Sequence, residues 1–296
     1  MNDKILRYAQ NDNNQQTFIT YTQLIFYENF MHSLKNISPK SILITGASSG
    51  LGAALALEYS KTGNILHLHG RNAERLEEIA AKCRMLGAIV YTKIGDVTDA
   101  AAMQNWLLEA DAISPLDLVI ANAGISAGTG GDCESGEQVN RIFSTNINGL
   151  LNTIQPIILR MLARKSGQIA IMSSLAGIRA LPSCPAYSAS KACVRYYGEA
   201  LRGVLLAQGV GVSVICPGYV KTPLTDVNDF PMPLLMSAEK AAKIIRKGLA
   251  KNRTRIAFPL ALYLPLWWLS CLSPRLIDPI FSRLPAKQSN NKYQRN

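Results

Sequence analysis

Apolar and polar positions alternate in a regular order between residues 41 and 258. Short, nearly continuous apolar runs are typical of strands buried on both faces of a sheet, and longer segments with charge on one side are typical of covering helices. The pattern predicts strands at 41–45, 65–69, 88–94, 116–121, 168–172, 211–216 and 255–258. It predicts helices at 51–59, 72–86, 100–109, 137–164, 186–208 and 237–250.

This alternation of strands and helices predicts right-handed βαβ units and a parallel sheet. We therefore expect an α/β fold, a doubly wound parallel sheet of the Rossmann type, in a single domain at 41–255. Residues 1–40 are predicted to form a poorly ordered leader, in which Asn and Gln dominate positions 11–16. They lack the basic start and long apolar run of a signal peptide. Met31 is a second candidate start of translation.

Composition narrows the class of protein. The 296 residues are 48% hydrophobic, which excludes a disordered chain. The net charge is +11, but residues 246–296 hold ten Lys or Arg and one Asp, a net of +9, which leaves +2 (11 − 9) for the rest. The charge therefore belongs to a tail, and no nucleic-acid recognition motif accompanies it. Six cysteines and three histidines show no metal-ligand spacing, so we expect no metal site and reduced cytoplasmic thiols.

A glycine-rich loop follows the first predicted strand and opens the first predicted helix. In that position glycines permit a tight turn, and the free N–H groups and dipole of the helix N-terminus attract a pyrophosphate. The spacing is GxxxGxG, not the commoner GxGxxG. The predicted nucleotide contacts here are Gly46, Ser48, Ser49, Gly50, Leu51 and Gly52.

The second strand ends without the carboxylate that NAD sites use to accept ribose hydroxyls. Gly70 stands there and Arg71 follows. A guanidinium suits a 2′-phosphate through its charge and forked donors. The sequence therefore predicts a preference for NADP(H), with NAD(H) as the alternative, although Arg71 is also interpretable as a solvated residue that opens the next helix.

Further motifs stand at the ends of the later strands. Tyr187 and Lys191 form a YxxxK motif with Ser174 thirteen residues before Tyr187, and Asn146 lies in the long helix. The remaining matches are Asp96, Val97, Asn122, Ala123, Gly124, Pro217, Gly218, Val220 and Thr222. Together these motifs resemble the short-chain dehydrogenase/reductase family, in its non-extended branch, over residues 41–250.

The resemblance implies an NADP(H)-dependent oxidoreductase that interconverts a carbonyl and an alcohol on a small molecule. Tyr187 would be the general acid/base, and Lys191, on the same helix face, would lower its pKa and hold the nicotinamide ribose. Ser174 would orient the carbonyl, and Asn146 would position a water. The other matched residues would contact the nucleotide. A non-catalytic dinucleotide-binding regulator is the alternative, disfavoured because Ser174, Tyr187 and Lys191 are all retained.

Two segments bear on substrate and partners. Residues 219–236 are rich in Pro, Leu and Met and predict an apolar lid over a hydrophobic substrate. Residues 256–272 are nearly all apolar and contain Trp267 and Trp268 between flanking basic residues. The run is shorter than the ~20 residues of a spanning helix. We predict peripheral contact of the 256–296 tail with a membrane surface, or its packing across a homo-oligomer or over the substrate mouth.

Overall fold

The protein forms a seven-stranded sheet in which every pair of neighbouring strands is parallel. A computed structural model describes residues 38–226, 228–281 and 287, so the predicted leader lies almost wholly outside the described residues. The strands are β1 (Ser41–Thr45), β2 (Ile65–Gly70), β3 (Ile89–Ile94), β4 (Leu118–Ala121), β5 (Gly167–Met172), β6 (Val210–Pro217) and β7 (Arg255–Phe258). Their order is β3-β2-β1-β4-β5-β6-β7.

Helices cover both faces of this sheet. They are α1 (Gly50–Tyr59), α2 (Ala73–Met85), α3 (Ala100–Ile113), α4 (Gly136–Phe143), α5 (Gly149–Arg164), α6 (Pro185–Leu205), α7 (Ala238–Ala250), α8 (Leu260–Ser270) and α9 (Pro274–Phe281). Side chains alternate along a strand, so Ile42 and Ile44 of β1 face the core beneath α1, α2 and α7. Leu43 faces the opposite core beneath α3, α5 and α6. The predicted doubly wound α/β fold is confirmed.

The chain reverses its direction of travel across the sheet between β1 and β4, which pair in parallel from Ile42 with Leu118 to Ile44 with Ile120. In open α/β sheets ligands bind beyond the carboxyl ends of the strands at such a switch point. The predicted motif residues stand at these strand ends or on the helices that follow them, so this topology brings them to one edge of the sheet.

Three elements differ from the predicted pattern. The predicted helix at 137–164 is divided into α4, a π-helical turn at Ser144–Asn148, and α5. The predicted helix at 186–208 ends in a 3₁₀ turn at Leu206–Gln208. Strand β7 pairs with β6 and lies across the predicted domain boundary at residue 255, so residues 256–258 belong to the sheet.

The apolar run that follows β7 folds into α8 despite Pro265 in its interior. Leu262, Tyr263 and Leu266 pack against a small core around Leu175 and Ile178. The other side of α8 is exposed to solvent. No helix in the described part of the chain combines the length and the apolar character needed to cross a membrane.

Candidate active site

The loop between β1 and α1 has a backbone that requires glycine. Gly46 has φ of 68° and Gly50 has φ of 55°, in the left-handed region that glycine adopts without penalty. A Cβ on Gly52 would lie 2.1 Å from the carbonyl oxygen of Gly46. The three predicted glycines therefore set one compact turn.

The N-terminus of α1 faces this turn without a side-chain cap. Ser49 is the N-cap residue in extended conformation, and its side chain makes no capping hydrogen bond. The first N–H groups of a helix have no intrahelical partner, so an uncapped first turn offers them to an anion. The predicted Ser48, Ser49 and Leu51 stand at this helix start.

Arg71 lies at the carboxyl end of β2, where its side chain is mainly exposed. Its guanidinium is 3.7 Å from Oδ2 of Asp96, while Oδ1 of Asp96 accepts hydrogen bonds from the backbone N and hydroxyl of Thr98 at 2.9 and 2.8 Å. Burial alone would raise the pKa of the Asp96 carboxyl, but these bonds and the Arg71 charge together lower it. Val97 is buried against Gly149.

Asn122 ties the end of β4 to the end of β1 across the switch point. Its Nδ2 donates to the carbonyl of Thr45 at 2.9 Å, and its backbone N donates to the Thr45 hydroxyl at 3.1 Å. The backbone N of Ala123 donates to the same hydroxyl at 3.2 Å. Gly124 follows, and a Cβ there would lie 3.1 Å from Oδ1 of Asn146 and 3.2 Å from Nζ of Lys191.

Asn146 is buried in the π-helical turn and forms hydrogen bonds with both the loop after β4 and helix α6. Its Oδ1 accepts from the backbone N of Ile125 at 2.8 Å, and its Nδ2 donates to the Ile125 carbonyl at 3.0 Å and to the Ser190 hydroxyl at 2.9 Å. Sequence reasoning missed Ser190, although it lies three residues after Tyr187 in the same motif. The water assigned to Asn146 stays a prediction.

Tyr187, Lys191 and Ser174 meet at the start of α6. Nζ of Lys191 donates to the carbonyl of Met172 at 2.9 Å and lies 5.8 Å from the centre of the Tyr187 ring. The Lys191 carbonyl accepts from the Ser173 hydroxyl at 2.7 Å, which fixes α6 against the end of β5. Ser174 accepts from the backbone N of Ala176 at 3.1 Å, and its side chain lies near enough to that of Tyr187 to affect the Tyr187 pKa.

Burial controls the titration of this pair. It raises the pKa of Tyr187 to about 12, against the opposing effect of the nearby Ser174 side chain. It also lowers the pKa of Lys191 to about 8. The expectation that Lys191 lowers the Tyr187 pKa is not met in the protein alone, because both groups share a poorly solvated site where forming either charge is costly.

The segment after β6 reaches back to the glycine-rich loop. Gly218 donates to the carbonyl of Phe258 at 2.8 Å, and a Cβ on Gly50 would lie 3.1 Å from Thr222. Val220 forms a parallel bridge with Met236, so the two ends of the predicted lid at 219–236 lie side by side. Pro217 ends β6 at the same edge of the sheet. Val227 lies outside the described residues.

Sequence reasoning missed a second cation at this site. Nζ of Lys287, from the tail, donates to the Ser126 hydroxyl at 2.7 Å and lies 5.7 Å from the centre of the Tyr187 ring. Lys287 was predicted only as one of the basic residues beside the apolar run. It is far in sequence from every motif, so no local signal indicates the contact.

The chain is similar to known proteins over most of its length. A family model described as short chain dehydrogenase matches residues 40–230. An uncharacterized oxidoreductase of Myxococcus xanthus is 37% identical over 252 residues, covering 85% of this chain and all of that protein. The 17-beta-hydroxysteroid dehydrogenase 13 of Mus musculus is 28% identical, covering 76% of this chain and 75% of that protein.

Solved structures show the same fold. A short-chain dehydrogenase from Sphingobium yanoikuyae in complex with NADPH covers 86% of this chain and 99% of its own, with a TM-score of 0.70 and 24% identity. One from Burkholderia phymatum in complex with NAD covers 85% and 98%, with a TM-score of 0.72 and 24% identity. The match over residues 40–230 and the 37% identical relative together establish that this chain is an oxidoreductase of the short-chain dehydrogenase/reductase family.

Proposed function

We propose that this protein is an NADP(H)-dependent oxidoreductase that interconverts a carbonyl and an alcohol on a small molecule with an apolar body. The observation that carries the proposal is the convergence of Tyr187, Ser174 and Lys191 with the glycine-rich loop at one edge of the sheet. The left-handed glycines and the uncapped start of α1 fit a dinucleotide pyrophosphate. Two solved relatives, described with NADPH and with NAD, agree with this class of cofactor.

The residues that would hold the dinucleotide follow the strand ends. The α1 N-terminus would bind its pyrophosphate, Asp96 and Val97 its adenine, and Lys191 the ribose beside the nicotinamide. Asn122, Ala123 and Gly124 on one side, and Pro217, Gly218, Val220 and Thr222 on the other, would line the nicotinamide half. When bound, the cofactor supplies the hydride that is added to the substrate carbon or removed from it.

Tyr187 then handles the proton. With a pKa of about 12 it is protonated at neutral pH, so it donates its proton to the carbonyl oxygen as the hydride adds to carbon. Ser174 donates a hydrogen bond that orients the same oxygen. Lys191, with a pKa of about 8, is still largely an ammonium at neutral pH and stabilises the phenolate that is left. The pair therefore favours reduction at neutral pH, and the reverse reaction gains as the pH rises.

The preference for NADP(H) is supported by the end of β2. Gly70 places no carboxylate there, and the Ser48 side chain lies beside the position that a Cβ of Gly70 would take. Arg71 is exposed and its contact with Asp96 is long, so the guanidinium remains able to form forked contacts with a 2′-phosphate.

Consumption of NADPH with a panel of aldehydes and ketones tests this function. Tyr187→Phe should retain NADPH affinity and lose about 10²- to 10⁴-fold in turnover, the range for removal of a general acid. Tyr196→Phe is the matched control, since Tyr196 lies on the same helix and is 66% exposed. Full turnover in Tyr187→Phe would contradict the assignment of the acid, and a wild-type protein that fails to bind either dinucleotide would contradict the proposed function itself.

We also propose that the exposed side of α8 contacts an anionic membrane surface. Trp267 and Trp268 are 49% and 59% exposed, and Leu260 and Leu264 are exposed beside them. Exposed Arg253 and Arg275 flank the helix, a combination typical of interfacial segments.

Vesicle sedimentation tests this contact. Wild type should sediment with vesicles that contain phosphatidylserine more than with phosphatidylcholine alone, and Trp267→Glu with Trp268→Glu should abolish the difference. If the double variant keeps vesicle binding but loses an oligomer seen by light scattering, the helix packs against a second copy and the membrane proposal fails.

A further inference from the structure

We propose that Lys287 binds a negatively charged group of the substrate, a carboxylate or a phosphate, close to the reacting carbonyl. The proposal rests on the function proposed above, because it concerns the substrate side of the same site. It adds a carboxylate or a phosphate to the substrate, whereas the apolar lid indicates only an apolar body.

The ammonium of Lys287 lies at the catalytic tyrosine. Its Nζ is 5.7 Å from the centre of the Tyr187 ring, and the Nζ of Lys191 is 5.8 Å from the same centre. Lys191 is directed to the Met172 carbonyl at the end of β5. Lys287 instead approaches through Ser126, in the loop that follows the nucleotide-contacting Gly124. The two cations thus reach the tyrosine from different elements.

Lys287 is buried without a carboxylate. Its residue is 8% exposed, and within the described residues its Nζ donates one hydrogen bond, to Ser126, and takes part in no ion pair. The nearby Glu134 is bonded instead to the backbone N of Ala186 at 2.8 Å and to Gln138. A buried cation costs several kcal/mol unless an anion pairs with it. Burial accordingly lowers the pKa of Lys287.

The backbone holds Lys287 firmly in this position. Its carbonyl accepts a hydrogen bond from the backbone N of Gly130 at 2.8 Å. A Cβ on Gly128 would lie 2.2 Å from that carbonyl oxygen, so only glycine leaves room for the tail there. The same loop is fixed at Thr129, which donates to the Ser183 carbonyl at 3.0 Å just before α6.

These observations together point to an anionic ligand. The chain anchors a lysine at the catalytic tyrosine, removes it from water and supplies no described counter-charge. A carboxylate or phosphate on the substrate would complete the ion pair and fix the carbonyl relative to Ser174 and Tyr187. A charge-assisted hydrogen bond of this kind is worth about 1.5–3 kcal/mol, which corresponds to about 10- to 150-fold in affinity.

Paired substrates test the proposal. We would measure kcat/KM with NADPH for pyruvate, acetoacetate and levulinate against their methyl esters, and for dihydroxyacetone phosphate against dihydroxyacetone. Wild type should favour the anionic member of at least one pair by about tenfold or more. The two sets of pairs distinguish a carboxylate from a phosphate.

Variants of Lys287 then identify the residue responsible. Lys287→Met should lose about 10- to 150-fold on the anionic member and less than about threefold on its neutral partner. Lys287→Arg should keep most of the preference because it keeps the charge. Lys82→Met, at an exposed position of α2, is the matched control and should change neither. Equal losses on both members of a pair, or no preference in wild type, would overturn the proposal.

Binding measurements keep the two proposals distinguishable. NADPH affinity should be the same in wild type and Lys287→Met, and loss of NADPH binding in wild type would contradict the proposed function rather than this inference. If no panel member is reduced, calorimetry on the NADPH complex should still detect the oxo acids and the phosphate but not the corresponding methyl esters or dihydroxyacetone. Binding of those anions that Lys287→Met leaves unchanged, or no binding at all, would overturn the role of Lys287.

Discussion

The Nδ2 of Asn146 donates a hydrogen bond to the hydroxyl of Ser190 at 2.9 Å, and that hydroxyl donates to the carbonyl of Tyr187 at 2.7 Å. Asn146 lies in a π-helical turn and Ser190 in α6, so two hydrogen bonds connect an irregular turn to Tyr187, the proposed general acid/base. π-helical turns occur often at functional sites. Here the turn places a buried amide where a regular helix would present a different residue.

Replacement of Asn146 by alanine should reduce both stability and activity. It leaves the partly buried backbone groups of Ile125 without their amide partner and removes the donor to the buried hydroxyl of Ser190. We expect the free energy of unfolding to fall by about 1–3 kcal/mol, the cost of leaving buried polar groups unsatisfied. Urea denaturation and NADPH oxidation measure the two effects.

Asn64→Ala is the control for this change. Asn64 is buried at the amino end of β2, at the opposite edge of the sheet from Tyr187, and its Nδ2 donates to the carbonyl of Tyr59 at 2.9 Å. It should lose about 1 kcal/mol of stability and keep its turnover. If the two variants lose activity equally at matched fractions of folded protein, Asn146 has no special connection to catalysis.

Addition of one methyl group at Gly124 should impair turnover. The new Cβ would lie 3.1 Å from Oδ1 of Asn146 and 3.2 Å from Nζ of Lys191, which is tighter than nine in ten Cβ contacts and requires these side chains to move by a few tenths of an ångström. Displacements of about 1 Å in an active site cost on the order of 10²-fold in rate. We expect Gly124→Ala to lower kcat by about 10- to 100-fold while the protein remains folded.

Gly136→Ala is its matched control, since nothing lies within 4 Å of a Cβ at that position. It should leave kcat unchanged, and its position in the first turn of α4 makes alanine favourable. Normal kcat in Gly124→Ala would show that Asn146 and Lys191 adjust without effect on the chemistry.

Much of the fold followed from the sequence because each strand is a short apolar run between turn residues. The alternation in β1, with Ile42 and Ile44 on one side and Leu43 on the other, is the two-residue period of a strand covered on both faces. The π-helical turn was not predicted, because the spacing of apolar residues along it does not differ from that of the adjoining helices. Helix α8 was not predicted either, because Pro265 argues against a helix that tertiary packing nevertheless stabilises.

The candidate site also has some features that the sequence could predict and others that it could not. Tyr187 and Lys191 share a helix face through their four-residue spacing, so their proximity was predictable. The direction of the Tyr187 pKa was not, because it depends on how strongly the folded chain excludes water from the phenol. The contact of Lys287 with Ser126 joins residues 161 positions apart. A contact between such distant residues cannot be predicted from the local sequence around either one.

Acid should destabilise the protein through its buried histidines. His67 stacks on Tyr91 at 5.2 Å, and burial lowers its pKa to about 4. Between about pH 6.5 and pH 4 the unfolded chain binds a proton that the native state does not, so stability is full above 6.5 and is lost as the pH falls towards 4. His69 behaves in the same way, with a pKa of about 4.

His67→Phe keeps the stacking ring and removes the titration. We expect the slope of unfolding free energy against pH in this window to become smaller by up to about 1.4 kcal/mol per pH unit. Above pH 7 the wild type and the variant should show parallel profiles, which serves as the internal control. Identical slopes between pH 4 and 6.5 would mean that His67 is not neutral in the native protein.

Removal of the Arg71 side chain should change the choice of dinucleotide. In the proposed complex its guanidinium binds the 2′-phosphate, which only NADP(H) carries, so Arg71→Ala should weaken NADPH binding by about 10- to 150-fold and leave NADH binding nearly unchanged. Arg75→Ala, one turn into α2 and also exposed, is the control and should affect neither nucleotide. Kd values from quenching of tryptophan fluorescence measure the effect. Equal affinities of the wild type for NADPH and NADH would reject the preference, because the Arg71 guanidinium would then make no net favourable contact with the 2′-phosphate of NADPH.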